Sequence, residues 1–96
     1  MKESILRDKN YTLAVKIVKL SQELQKDSKE CVLSKQVLRS GTSIGANIRE
    51  AIFAQSNADF IHKMSISLKE ANETIYWVEI LKDTGYIMDE KQLQFK

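Results

Sequence analysis

The amino-acid sequence predicts an all-α fold, an antiparallel up-down four-helix bundle whose fourth helix is truncated in this chain. The 96 residues include no proline and three glycines, so the chain offers few positions for a sharp turn. Apolar residues recur at steps of three and four along three long segments, which is the period of an α-helix. Short polar stretches separate these segments. Residues 1–96 are therefore expected to form a single helical-bundle domain.

The first two helices are expected over residues 10–26 and 29–54. The first presents an apolar face at steps of four, three and four: Leu13, Ile17, Leu20 and Leu24. The second presents a longer apolar stripe, with Gly41 where one side chain is missing: Leu33, Val37, Ile44, Ile48 and Ile52. The polar stretch KDSKE between them interrupts both patterns and supplies candidate cap residues.

The third helix is expected over residues 57–84, and a fourth helix from about residue 89. Ser56 followed by Asp59 resembles a capping box, and Gly85 is a favourable left-handed C-cap. The stripe expected to face the core is Ile61, Met64, Leu68, Ala71, Ile75 and Val78. The fourth helix completes few turns within the sequence, so the core is expected to be imperfectly covered.

Gly41 and Gly45 lie four residues apart inside the second helix, although each weakens a helix by about 1 kcal/mol relative to alanine. A Walker-type phosphate loop needs four residues between its glycines and a lysine after the second. This segment has three residues between them and alanine after Gly45. We therefore interpret both glycines as helix-packing positions at which a neighbouring helix approaches closely.

Basic residues are concentrated in the first half of the chain. Residues 1–49 carry ten Lys/Arg and five Asp/Glu, a difference of +5, whereas the whole chain has a net charge of +2. A solvated basic face is one interpretation; a ridge that contacts nucleic-acid phosphates is the other. The candidate nucleic-acid-binding residues are Lys16, Lys19, Lys35, Arg39 and Arg49.

Several apolar and small polar side chains lie off the main stripes, which predicts a second buried surface and therefore a homo-oligomer. Solvent exposure is the alternative interpretation of the small polar ones. The candidate oligomer-interface residues are Val15, Val18, Ser40, Ser43, Asn47, Ile66, Trp77 and Ile80.

Nothing in the sequence indicates catalysis, a cofactor or a metal site. His62 is the only histidine and Cys31 the only cysteine, so a histidine-rich di-iron site or a multi-cysteine zinc site cannot be assembled within the chain. Glu79 falls near the apolar stripe, where it would need a basic partner. The absence of a long apolar run argues against membrane insertion and, with no signal-peptide pattern, favours a cytoplasmic location.

Two stretches together resemble the four-helix-bundle family of 23S ribosomal RNA intervening-sequence proteins. They are RSGTSIGANIREA (residues 39–51) and DFIHKMSISLKEANETIYWVEILKDTGYI (residues 59–87). The resemblance implies a bacterial, non-enzymatic up-down bundle that assembles into a ring, commonly a homopentamer. Members usually continue through a complete fourth helix, whereas this sequence stops at Lys96.

The resemblance leaves the biological role open. A related bundle family, the accessory proteins of diversity-generating retroelements, forms basic pentamers that work with a reverse transcriptase and nucleic acid. By that analogy, the leading hypothesis is an oligomeric accessory factor associated with RNA or DNA. The alternative is a protein-interaction scaffold whose bundle groove binds a helix of a partner protein. A metal-dependent bundle enzyme is a third hypothesis.

Overall fold

The computed structural model of the protein describes the backbone of residues 2–88 and the side chains of residues 5–88. These residues form three α-helices: α1 (Lys2–Lys26), α2 (Leu33–Ile52) and α3 (Asn57–Asp83). The described part contains no strand, so the fold is all-α. The fourth helix expected from about residue 89 lies outside the described residues.

Two helix starts differ from the expected positions. α1 begins at Lys2 rather than near residue 10, because the intervening residues include several good helix formers and no helix breaker. α2 begins at Leu33 rather than near residue 29, because Lys29 has a positive φ of 57°. The Glu30 carboxylate then accepts backbone N–H bonds from Leu33 (3.1 Å) and Ser34 (2.7 Å), which satisfies free donors of the first helical turn.

The ends of α3 follow the sequence expectations. The Ser56 side chain accepts the backbone N–H of Asp59 at 3.1 Å, so the predicted N-terminal cap is confirmed. Gly85 has a φ of +87°, the left-handed conformation that glycine adopts without strain. The chain then turns back, and the Tyr86 N–H donates to the carbonyl of Leu81 at 2.8 Å.

α2 is the central helix, and it packs antiparallel against both α1 and α3. On one side, Ile17 of α1 lies against Gly41, while the Ser21 hydroxyl, further along α1, donates to the carbonyl of Ser34 at 3.2 Å. Direct contact between α1 and α3 is slight. The slot between these two outer helices is therefore less closely packed than either side of α2.

Small polar residues form part of the contact between α2 and α3. The hydroxyls of Ser40 and Thr74 are hydrogen-bonded at 2.9 Å, and the Ser67 hydroxyl donates to the carbonyl of Ile44 at 2.8 Å. Ser40, Ser67 and Thr74 are all buried. These bonds satisfy polar groups that would otherwise be costly to bury.

The main apolar core lies towards one end of the molecule, where α1 ends, α2 begins and α3 ends. Leu13, Leu33 and Trp77 pack partly against it. Its buried members are Ile17, Leu20, Leu24, Val37, Val78, Leu81 and Ile87. This arrangement explains why the segment after Gly85 folds back: the side chain of Ile87 covers the end of the core.

The stripe expected to bury α3 is only partly correct. Val78 is buried, but Ile61, Leu68 and Ile75 are 63%, 64% and 57% exposed. α3 instead directs Ser67 and Thr74 towards α2. Apolar spacing could not reveal this rotation, because Ser67 and Thr74, two of the four buried residues of α3, are polar.

Candidate functional site

The two glycines of α2 lie where α1 crosses it. A Cβ atom on Gly41 would lie 2.8 Å from Cγ2 and 2.9 Å from Cγ1 of Ile17, distances shorter than van der Waals contact. A Cβ atom on Gly45 would meet Cβ of Asn10 at 3.4 Å, which is tight but close to ordinary contact. The segment is continuous helix, so its backbone does not form a phosphate-binding loop.

Arg39, one of the candidate nucleic-acid contacts, is engaged by two carboxylates of α3. Its guanidinium donates to Glu70 at 3.3 Å and to Glu73. Glu73 also accepts the indole N–H of Trp77 at 3.0 Å. The network links α2 to α3 and offsets the charge of Arg39, so Arg39 is poorly suited to a phosphate contact.

The other basic candidates do not form one compact patch. Lys19, Lys35 and Arg49 are exposed, and Lys16 is half-buried. Lys35 is in the first turns of α2 and Arg49 in its last turn, a separation of roughly 21 Å along the helix axis. Lys19 lies at the level of the Lys35 end, because α1 and α2 are antiparallel.

A cleft of about 390 Å³ opens between the first half of α1 and the second half of α2; we call it the α1/α2 cleft. Arg7 and Tyr11 contribute to it from α1, and Arg49 from α2. Its complete lining is Arg7, Asn10, Tyr11, Ala14, Thr42, Gly45, Ala46, Arg49 and Glu50. Sequence analysis did not select Arg7, because the first helix was expected to begin near residue 10.

An ion pair connects one edge of this cleft to α3. Nζ of Lys63 lies 2.8 Å from Oε1 of Glu50. The hydrogen bond to Glu50, together with the charge of that carboxylate, raises the pKa of Lys63 above its ordinary value of 10.5. The one carboxylate in the cleft lining is therefore already paired with a cation from outside it.

A second, mostly apolar depression lies on the outward side of α1, and we call it the α1 groove. It has a volume of about 360 Å³, and its lining is Tyr11, Ala14, Val15, Val18, Lys19 and Gln22. The sequence placed Val15 and Val18 among the candidate interface residues, and the structure brings both into this groove. Tyr11, 63% exposed, stands between the groove and the α1/α2 cleft.

α3 carries a separate exposed surface, the α3 apolar face, formed by Ile61, Leu68 and Ile75. These residues are seven apart, so they align along one side of the helix. Sequence analysis missed this surface because it assigned the same residues to the core. The heptad spacing is the signal that could have revealed it.

The remaining interface candidates have mixed environments. Ser40 is completely buried against α3. Ser43 and Asn47 are half-buried, and each donates to a backbone carbonyl of α2, that of Arg39 and of Ser43 respectively. Ile66, Trp77 and Ile80 are also half-buried, and the Trp77 ring makes an edge contact with Tyr76 at a centroid distance of 5.0 Å.

The described residues do not bring together a recognisable reactive centre. Cys31, His62 and Glu79 are exposed, so Glu79 is not the buried carboxylate that its position suggested. In residues 5–88, no three His, Cys, Asp or Glu side chains converge in a way that could hold a metal ion. No helix in the described part is both long and apolar enough to cross a membrane.

Two of the matches to known proteins agree with each other. A family model described as "23S rRNA-intervening sequence protein" matches residues 2–96. A crystal structure from Bacteroides thetaiotaomicron, described as a protein with unknown function from the S23 ribosomal protein family, is 59% identical. The match covers 96% of this chain and 82% of that one, with a TM-score of 0.92. No curated protein matches the chain.

Proposed function

The chain belongs to the 23S rRNA-intervening sequence protein family, and from that premise we propose that it is a non-enzymatic, self-associating helical-bundle protein. We further propose that the assembled protein is a bacterial, cytoplasmic accessory factor that associates with nucleic acid, RNA in particular. Self-association is the better supported part, and it rests on one observation. The described residues expose two separate apolar surfaces, the α1 groove and the α3 apolar face.

The two surfaces call for two different occupants. In a four-helix up-down bundle, a fourth helix from the same chain lies in the open slot between α1 and α3 and covers the α3 apolar face. The α1 groove shares Tyr11 and Ala14 with the α1/α2 cleft and therefore borders α2 instead. One helix does not cover both surfaces. A second copy of the chain is the occupant that we assign to the α1 groove.

The copies can form a ring if the α1 groove of one copy contacts a different surface on the next copy. Such a contact is heterologous, and heterologous contacts close into rings when the rotation between copies allows it. The half-buried flank of α3 around Ile66, Trp77 and Ile80 is the surface that we assign to the opposite side of this contact. A pentamer is the ring size that the family resemblance favours.

Sedimentation velocity of Val18→Lys tests the self-association. Val18 is 36% exposed in the α1 groove, so the substitution places a charge in the proposed contact and leaves the main core untouched. The wild type should sediment well above its 11.0 kDa monomer mass at about 50 µM. Val18→Lys should weaken assembly at least about tenfold, the equivalent of ~1.4 kcal/mol.

Val32→Lys is the matched control, because it makes the same chemical change at a 71% exposed position in the segment that connects α1 to α2. It should assemble like the wild type. A wild type that is monomeric up to about 100 µM would refute self-association. If Val18→Lys and Val32→Lys assemble equally well, the α1 groove is not part of the interface between copies.

The nucleic-acid part of the proposal is supported by the basic first half of the chain and by three exposed cations, Lys19, Lys35 and Arg49. Fluorescence anisotropy with a labelled single-stranded RNA should show binding that weakens steeply with salt, because bound cations release counterions from the phosphates. Absence of binding at about 50 mM salt would contradict this role. That result would favour a protein-interaction scaffold, whose α3 apolar face would accept a partner helix.

A further inference from the structure

The α1/α2 cleft brings together two guanidinium groups from different helices. Arg7 enters from α1 and Arg49 from α2, and both line the same cavity of about 390 Å³. That volume falls within the ~300–1,000 Å³ range of small-ligand sites. Because the two residues are 42 positions apart in sequence, only the antiparallel packing of α1 and α2 brings them into one cleft.

The positive charge of the cleft is only weakly offset by neighbouring carboxylates. Oδ1 of Asp8 lies 3.7 Å from Nε of Arg7, and both side chains are largely exposed, so this pair is weak. Glu50 is paired with Lys63 of α3. The guanidinium groups of Arg7 and Arg49 therefore retain the capacity to bind an anion, and guanidinium is well matched to phosphate.

The rest of the lining suits a flat, polar ligand. Tyr11 offers an aromatic ring that is 63% exposed. The Thr42 hydroxyl donates to the carbonyl of Leu38, and the Asn10 amide nitrogen donates to that of Leu6. The side-chain oxygens of Thr42 and Asn10 therefore remain available as acceptors for the exocyclic amine of a base. The floor is open because it consists of small residues: Ala14, Gly45 and Ala46.

We infer that the α1/α2 cleft binds one nucleotide of a single-stranded nucleic acid. Arg7 and Arg49 hold its phosphate, and the base stacks on Tyr11. The inference rests on the proposed nucleic-acid association and assigns it a site. A duplex is disfavoured, because a paired base cannot reach the aromatic ring.

The test uses the full-length wild type and three variants with a fluorescein-labelled single-stranded RNA of about 12 nucleotides. Arg7→Gln/Arg49→Gln removes both guanidinium groups. Lys26→Gln/Lys69→Gln is the matched control, because it removes the same net charge from two exposed positions outside this cleft and outside the candidate basic residues. Tyr11→Leu is compared with Tyr76→Leu, a similarly exposed tyrosine on α3. Circular dichroism verifies that each variant is folded.

Arg7→Gln/Arg49→Gln should weaken binding at least about tenfold and reduce the slope of log affinity against log salt. Lys26→Gln/Lys69→Gln should change affinity about twofold or less, since it removes no candidate phosphate contact. Tyr11→Leu should weaken binding about fivefold or more, and Tyr76→Leu should have little effect. A duplex of the same length should bind more weakly than the single strand.

The possible results distinguish a failure of the proposed site, the α1/α2 cleft, from a failure of the proposed nucleic-acid association. Wild-type binding with equal losses in the two charge variants would overturn the site but leave nucleic-acid association intact. If the wild type does not bind RNA at low salt, both the proposed site and the proposed nucleic-acid association are contradicted. Competition with AMP distinguishes a free nucleotide from a strand. Displacement by AMP at concentrations comparable to the RNA would assign the cleft to mononucleotides, and a requirement for large excess would support the strand.

Discussion

The contact between Gly41 and Ile17 allows a quantitative test of how α1 packs against α2. Gly41→Ala adds one methyl group, and on propensity alone it should stabilise the helix by about 1 kcal/mol. Three side-chain atoms of Ile17 nevertheless lie within 3.0 Å of the position of that methyl group. Ile17 is completely buried and β-branched, so it cannot rotate away easily. Overpacking of this kind costs typically 1–3 kcal/mol.

After the propensity gain is subtracted, we expect Gly41→Ala to lower the free energy of unfolding by up to about 2 kcal/mol, which is a fall of up to roughly 16 °C in Tm for a domain of this size. Gly45→Ala is the matched control. Its methyl group would lie 3.4 Å from Asn10, so the propensity gain should make this variant neutral or up to about 1 kcal/mol more stable. Urea denaturation followed by circular dichroism measures both variants at one fixed protein concentration.

A double-mutant cycle assigns the effect to the contact itself. Ile17→Ala removes the three obstructing atoms and should cost about 2–5 kcal/mol on its own. In that background, Gly41→Ala should change sign and become stabilising, which gives a coupling of at least about 1 kcal/mol. If Gly41→Ala and Gly45→Ala have equal effects, or if the cycle shows no coupling, the close approach of α1 to Gly41 is not what determines stability there.

Three other predictions test separate parts of the structure. Ser56→Ala removes the N-terminal cap of α3 and should lower the free energy of unfolding by about 1 kcal/mol in urea denaturation. Its control, Ser65→Ala, changes an exposed mid-helix position and should not lower the free energy of unfolding. Glu73→Gln weakens the acceptor shared by Arg39 and Trp77, so we expect a loss below about 1 kcal/mol and a change in tryptophan emission; an unchanged spectrum would contradict the network. The pKa of Lys63 is raised in the folded state, so its ion pair stabilises the fold below pH 10.5 and that contribution is lost as pH rises above this value. The urea midpoint should therefore fall less between pH 9.5 and 11.5 in Lys63→Gln than in the wild type, and identical falls would exclude the contribution.

The sequence was sufficient to predict the three helices, because apolar spacing and cap residues are local signals. It also singled out the paired glycines as positions of close helix approach, but it did not indicate that α1 is the helix that lies there. The rotation of α3 could not be predicted in the same way. Its contact with α2 depends in part on Ser40, Ser67 and Thr74, and hydroxyl groups give no signal in an apolar pattern.

The candidate site was less predictable for a similar reason. The basic ridge was inferred from spacing along one helix, which does not indicate the partners that another helix supplies. Glu70 and Glu73 are 31 and 34 residues from Arg39 in the sequence, yet the packing of α3 places them against its guanidinium. The packing of α1 against α2 brings Arg7 and Arg49 into one cleft. Long-range pairing decides which charges are available, and local spacing does not contain that information.

The small residues of α2 account for both the packed and the open parts of the molecule. Gly41 allows α1 to approach on one side, while Ser40 allows α3 to approach on another. Because α1 and α3 both pack against α2, they have little contact with each other. The residues of the α3 apolar face are consequently left in solvent, although their seven-residue spacing is that of a helix-packing seam. The exposed apolar surfaces thus follow directly from close packing around α2, and a partner helix that covers them does not need to disturb either of its two interfaces.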